Sequence, residues 1–113
     1  MHELALTEGI LAIVEQEALK NGFDRVLEIT LKVGEFSGVV PECLREFFPI
    51  ASRGTAAEGA ALVIEAVPAA FRCESCGFEG PLPRHTACCP ACGGEAIRMI
   101  SGREFFVDNL KVE

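Results

Sequence analysis

CESCGFEGPLPRHTACCPACGG, residues 73–94, places two C-x-x-C pairs, Cys73 with Cys76 and Cys89 with Cys92, twelve residues apart. Each pair is followed by a glycine, and the second encloses Pro90. Two such turns aim four thiolates at one centre, with sulfurs about 2.3 Å from a metal held in a closed tetrahedron, which is the arrangement of structural zinc. A dithiol redox pair needs a single C-x-x-C at a helix start, and an iron–sulfur cluster is the remaining rival. The energetics favour a metal. A segment of fewer than about 40 residues whose large apolar groups are Phe71, Phe78, Leu82 and Ile97 cannot fold on burial alone. Cys88 adjoins Cys89 but lacks the C-x-x-C spacing to Cys92, so it reads as a spare thiol. His85 is an alternative ligand that its loop position makes an exposed histidine instead. Cys43 reads as a small buried hydrophobe.

The metal segment interrupts a larger pattern. ALVIEAV (61–67) reads as a strand that stops at Pro68, and REFFVDNLKVE (103–113) as another, with Phe106, Leu110 and Val112 on one face and Phe105 and Val107 on the other. VLEITLKV (26–33) alternates, with Leu27, Ile29, Leu31 and Val33 on the buried side and Glu28, Thr30 and Lys32 on the wet side. Leu6, Ile10, Ile13, Val14 and Ala18 recur at helical spacing from Leu4 to Lys20, and Asn21-Gly22 is a C-cap signal. Pro41 opens a second helix carrying Leu44, Phe47 and Phe48. Pro49 should kink or stop that helix. The order αβαβ-insert-β predicts an α+β fold, a small three-stranded sheet covered by two helices, with an inserted four-cysteine zinc-ribbon-like domain. The expected division is residues 1–70 plus 99–113 for the α+β domain and 71–98 for the zinc-binding domain.

Composition bounds the chemistry. The 113 residues suit one domain with a small appendage, and the hydrophobic half of the chain is enough for a core. No apolar run reaches the roughly 18 residues of a membrane span, and Glu3 and Glu8 break any signal-peptide pattern, so a cytoplasmic protein with no membrane partner is expected. The net charge of −7 opposes nucleic acid. Within the insert Arg72, Arg84 and Arg98 are balanced by Glu74, Glu79 and Glu95, so the zinc-ribbon nucleic-acid or transcription-factor module, the main alternative, finds no basic stripe. No nucleophile–base pair is recognisable, and four thiolates would close the zinc to substrate, so no enzyme is expected.

The chain opens Met1, His2, Glu3, just before the first predicted helix. A terminal amine, the adjoining backbone nitrogens, an imidazole and a carboxylate can close small chelate rings around a cation preferring planar nitrogen and oxygen donors, meaning Ni²⁺ or Cu²⁺. This opening, together with ITLKVGEFSGVVPECLREFF, GTAAEGAALVIEAVP, the paired C-x-x-C insert and GREFFVDNLKVE, resembles the HypA/HybF family of hydrogenase maturation nickel metallochaperones nearly end to end. The resemblance implies that Met1, His2 and Glu3 hold nickel as cargo, with His2 indispensable, and that Cys73, Cys76, Cys89 and Cys92 hold structural zinc. It also implies partners: a HypB-type maturation GTPase, the large-subunit precursor of a [NiFe] hydrogenase, and in some organisms urease accessory proteins, the protein acting as monomer or homodimer. Pro49 and Cys88 depart from the family pattern.

Overall fold

The computed structural model describes residues 2–81 and 87–113. The chain runs α1 (His2–Asn21), β1 (Val26–Gly34), α2 (Pro41–Ala51), β2 (Ala61–Val67), β3 (Ala70–Cys73), β4 (Glu79–Pro81), β5 (Ile97–Ser101) and β6 (Phe105–Val112). As expected, two helices accompany a three-stranded sheet, of order β2-β1-β6, and the insert between β2 and β6 builds a second sheet of order β4-β3-β5. β1 is central. It runs parallel to β2, with α2 as the crossover, and antiparallel to β6. Ile10, Leu11 and Val14 of α1, Leu44 and Phe48 of α2, and Val26, Ile29, Leu31 and Val33 of β1 form one buried core. Each such side chain contributes about 1.5–3 kcal/mol by leaving water.

The predicted elements are present, but several faces differ. α1 already includes His2 and Glu3, and its buried stripe is Glu3, Thr7, Ile10, Leu11 and Val14, whereas Ile13 is 45% exposed. Two polar residues lead that stripe because Thr7 Oγ1 donates to the Glu3 carbonyl oxygen at 2.7 Å and so enters the interior satisfied. In β1, Leu27 is exposed and Val26 buried, since the pairing with β6 shifts register between Val26 and Glu28. A second shift, between Thr30 and Leu31, lets Asp108 bulge from β6 and turns Leu110 to the side of Phe105 and Val107, leaving Phe106 on the exposed face, while Val112 is exposed at the strand's end. One extra residue in a ladder reverses the alternation beyond it. Pro49 lies inside α2, which ends two residues later at Ala51, and Ser52 N–H closes the last turn on the Phe48 carbonyl. The Asn21-Gly22 cap forms as read, with Gly22 at φ +74° and its N–H on the Ala18 oxygen.

β2 ends, and β6 begins, at the same end of β1: Val67 faces Gly34 and Phe105 faces Val33. The insert therefore leaves and re-enters the sheet at one point. There the backbones touch closely, since a Cβ on Gly34 would lie 2.3 Å from the Gly102 carbonyl oxygen and 2.7 Å from the Glu104 nitrogen. Gly34→Ala is expected to cost about 1–3 kcal/mol through this overlap, read as a fall in the thermal midpoint of the α+β portion. An unchanged midpoint would mean that the linker backbone moves aside freely.

Candidate metal centre

β3 ends at Cys73 and runs straight into a turn in which Gly77 N–H donates to the Cys73 carbonyl and Cys73 N–H to the Phe78 carbonyl, both at 2.8 Å. The second turn repeats it: Gly93 N–H reaches the Cys89 carbonyl at 2.8 Å and Cys89 N–H the Gly94 carbonyl at 2.7 Å. Gly77 and Gly93 adopt φ of +79° and +73°, a conformation available to glycine at little cost, which explains the glycine after each pair. Each turn folds the chain back so that both its sulfurs point one way.

The four sulfurs of Cys73, Cys76, Cys89 and Cys92 lie within 4.8 Å of one another. Cys73 Sγ is 3.6 Å from Cys92 Sγ, and Cys76 Sγ is 3.8 Å from Cys89 Sγ. A tetrahedral ion about 2.3 Å from each sulfur requires edges of about 3.8 Å. The set thus has the size of a four-thiolate metal site. Cys73 and Cys89 are buried with Phe71, against which Ile97 packs, while Cys76 and Cys92 face solvent. One thiol of each pair serves as floor and the other as rim.

Backbone N–H groups support the sulfurs. The Ala91 N–H donates to Cys89 Sγ and the Gly94 N–H to Cys92 Sγ, each at 3.4 Å. Donation from the Cys76 backbone, followed by that from Ser75, outweighs burial and brings the Cys73 thiol down to about 7. The Phe78 N–H also favours the Cys76 thiolate, but burial and the hydrogen bonds it shares with the other three cysteines push that thiol up to about 12. Cys92 is held above the usual thiol range as well: the Gly94 N–H opposes the rise, and the shared proton with Cys73 leads it. Without a metal, four neighbouring sulfurs cannot all carry negative charge, so the first thiolate keeps its neighbours protonated. A divalent cation removes that conflict. These amide donors were not apparent from the cysteine spacing, although the two glycines that create the turns were the local sign of them.

Cys88 is half-buried and stands outside the four-sulfur group, and Cys43 is half-buried on α2. His85 and Arg84 lie outside the described residues. Arg72 is paired with Glu79 at 2.7 Å and Arg98 with Glu74 at 3.7 Å, so the strand arginines of the insert are engaged by carboxylates of the insert itself.

At the opposite end of the sequence Met1 lies outside the described residues, and His2 and Glu3 form the first residues of α1. His2 Nε2 lies 3.4 Å from Glu3 Oε2, the histidine side chain 61% exposed and the glutamate 12%. The Glu3 charge acts on Cys43: burial first, then Glu3, Glu46 and Glu42, raise that thiol above its usual range. The start of α1 therefore sits beside the first turns of α2.

No helix among the described residues is long and apolar enough to cross a membrane. The family model described as hydrogenase/urease nickel incorporation, metallochaperone, hypA matches residues 1–112. Proteins named hydrogenase maturation factor HypA from Geobacter metallireducens and Methylocella silvestris are 44% and 42% identical to this chain over 113 residues, covering the whole of both chains in each case. A solution structure of HypA protein superposes with a TM-score of 0.78 at 19% identity, covering 100% of this chain and 97% of that one. The solution structure of the Ni metallochaperone HypA from Helicobacter pylori superposes with a TM-score of 0.71 at 19% identity, over 99% and 97%. At that identity the two structures speak for the fold, while the full-length family match carries the assignment: this chain belongs to the HypA family of hydrogenase and urease nickel-incorporation metallochaperones.

Proposed function

We propose that the protein captures Ni(II) at its N-terminus through Met1, His2 and Glu3 and delivers it to the large-subunit precursor of a [NiFe] hydrogenase. A HypB-type GTPase serves as partner, with urease accessory proteins as a further recipient system in some organisms. The protein acts as a cytoplasmic carrier without catalysis. Nickel belongs to the α+β portion, residues 1–70 with 99–113, and structural Zn(II) to residues 71–98 through Cys73, Cys76, Cys89 and Cys92.

The observation that carries this reading is the placement of His2 and Glu3 in the first turn of α1, their side chains converging at 3.4 Å with the imidazole open to solvent. The first four N–H groups of a helix have no intrahelical acceptor. Backbone nitrogens at positions 2 and 3 can therefore bind a metal without breaking a helical hydrogen bond. The Glu3 side chain is largely buried, whereas the His2 ring is exposed and can swing onto an ion and off it. Such a site loads and unloads quickly. The sulfur set differs on each count, with two buried thiols and backbone donors fixing it in place, as suits zinc that remains bound.

His2→Ala is expected to abolish stoichiometric nickel binding in calorimetry while zinc content and far-ultraviolet circular dichroism stay unchanged. Acetylation of the terminal amine should weaken the same binding. Wild-type affinity in the His2→Ala protein would remove the site.

Zinc uptake by metal-free protein should release protons, since near pH 7 Cys76 and Cys92 are protonated and Cys73 about half so. With two or more protons displaced, apparent zinc affinity should rise about a hundredfold per pH unit around neutrality. Calorimetry in buffers of different protonation enthalpy reads the count directly. Release of less than one proton would contradict the four-thiolate assignment.

A further inference from the structure

The two sheets share no strand, and the molecule is long and narrow, 54 × 28 × 17 Å. How the four-cysteine unit is oriented thus depends on what holds the two linkers, Pro68–Ala69 going out and Gly102–Glu104 coming back. Three consecutive residues grip both. Gly34 N–H donates to the Glu104 carbonyl at 2.6 Å, Glu35 N–H to the Val67 carbonyl at 2.9 Å, and Phe36 N–H to the Gly102 carbonyl at 2.6 Å. The end of β1 and its extension lie between the outgoing and returning chains, bonding to them alternately.

Two carboxylates complete the grip. Glu35 Oε1 accepts the Ala69 N–H at 2.8 Å, so Glu35 holds the outgoing linker on both sides of Pro68. Glu104 Oε1 accepts the Gly102 N–H at 2.6 Å, which fixes the turn of the returning linker. The backbone amides of Glu104, Gly102 and Arg103 hold the Glu104 carboxyl below its usual range, as expected of an anion in a nest of N–H donors. Ser101 Oγ donates to the Pro68 carbonyl at 2.9 Å and ties one linker to the other. Gly102, at φ +114°, brings the linkers so close that a Cβ there would lie 2.8 Å from the Ala69 Cα.

We propose that Glu35 and Glu104 are positioning residues, a carboxylate clasp on the Ala69 and Gly102 amides that fixes the orientation of the four-cysteine unit relative to the α+β portion. The clasp is independent of which metal either portion carries. It adds two charge-assisted bonds to the main-chain bonds of residues 34–36 and to the Ser101–Pro68 tie, and so gives the two-stranded connection one preferred setting. Charge-assisted acceptance strengthens each bond beyond that of a neutral pair.

Residual dipolar couplings of the full-length, zinc-loaded, ¹⁵N-labelled protein test this. In the wild-type protein the couplings of both units should fit one alignment tensor. In E35A/E104A they should require two tensors of different magnitude, while amide shifts of residues 73–77 and 89–94 stay in place and zinc content is retained. E35Q/E104Q keeps a side-chain oxygen to accept each N–H and should restore the single tensor. Glu35 is exposed, so the single E35A variant removes no core and gives a milder form of the same separation should the double variant not fold. Two tensors in the wild-type protein, one tensor in the alanine variants, or two tensors in the glutamine variant would each overturn the clasp.

Discussion

A strand paired with a parallel neighbour on one side and an antiparallel neighbour on the other fixes where an insert between those neighbours can stand. Because β2 runs with β1 and β6 runs against it, the outgoing and returning chains of the four-cysteine unit leave and rejoin the sheet at Gly34. That crossing point has room only for backbone, which is why glycine occupies positions 34 and 102. The core depends on the same arrangement. β1 contributes Val26, Ile29, Leu31 and Val33 to the interior, and it can be buried on its helix-covered face only if both neighbours are in register. An insert that left from two distant points would pull β2 and β6 apart.

The two portions are stabilised by different means. The α+β portion has enough apolar residues on two helices and a sheet to stand by burial. Among the described residues the insert does not: its core there is Phe71, Cys73 and Cys89, with Ile97 against them, and a tilted contact between the Phe71 and Phe78 rings. Two of those three buried residues are thiols of the metal set. The cage and the core are therefore one object, and losing the metal would leave Phe71 beside sulfurs of conflicting protonation. Structural zinc supplies apparent binding energies of about 10–16 kcal/mol in small domains, well above what this much apolar surface provides.

Much of this was legible in the sequence, and the exceptions share a cause. The paired cysteines, their trailing glycines and the chain order of helices and strands are local patterns, and the structure contains them. Leu27 and Leu110 lie on faces opposite to those that alternation predicts, because bulges depend on how two distant strands pair and alternation within a single strand carries no trace of that. Ile13 fits the helical spacing as an apolar residue yet is half exposed, whereas Thr7 and Glu3 occupy the turn that faces inward, Thr7 by bonding to the backbone. Glu35 and Glu104 were invisible for the same reason. A glutamate reads as surface charge until the amide it accepts from, 34 residues away for Glu35, is brought beside it.

Electrostatics constrain how the proposed nickel site can work. The net charge of −7 draws cations toward the protein, yet exposed charges are screened beyond about 8 Å at physiological ionic strength. The field of the acidic body thus acts on encounter, with a basic surface of a partner more than with a small ion already in contact. At the proposed site, retention of nickel would fall to local chelation at His2 and its neighbours, where donor number and ring closure decide affinity. A partner offering one better-placed donor can then remove the ion stepwise through the exposed imidazole. At the sulfur set only the rim thiols Cys76 and Cys92 are open, and the other two lie buried against Phe71 and Ile97. In the proposed scheme the separation of cargo from scaffold would rest on this difference in accessibility as well as on metal preference.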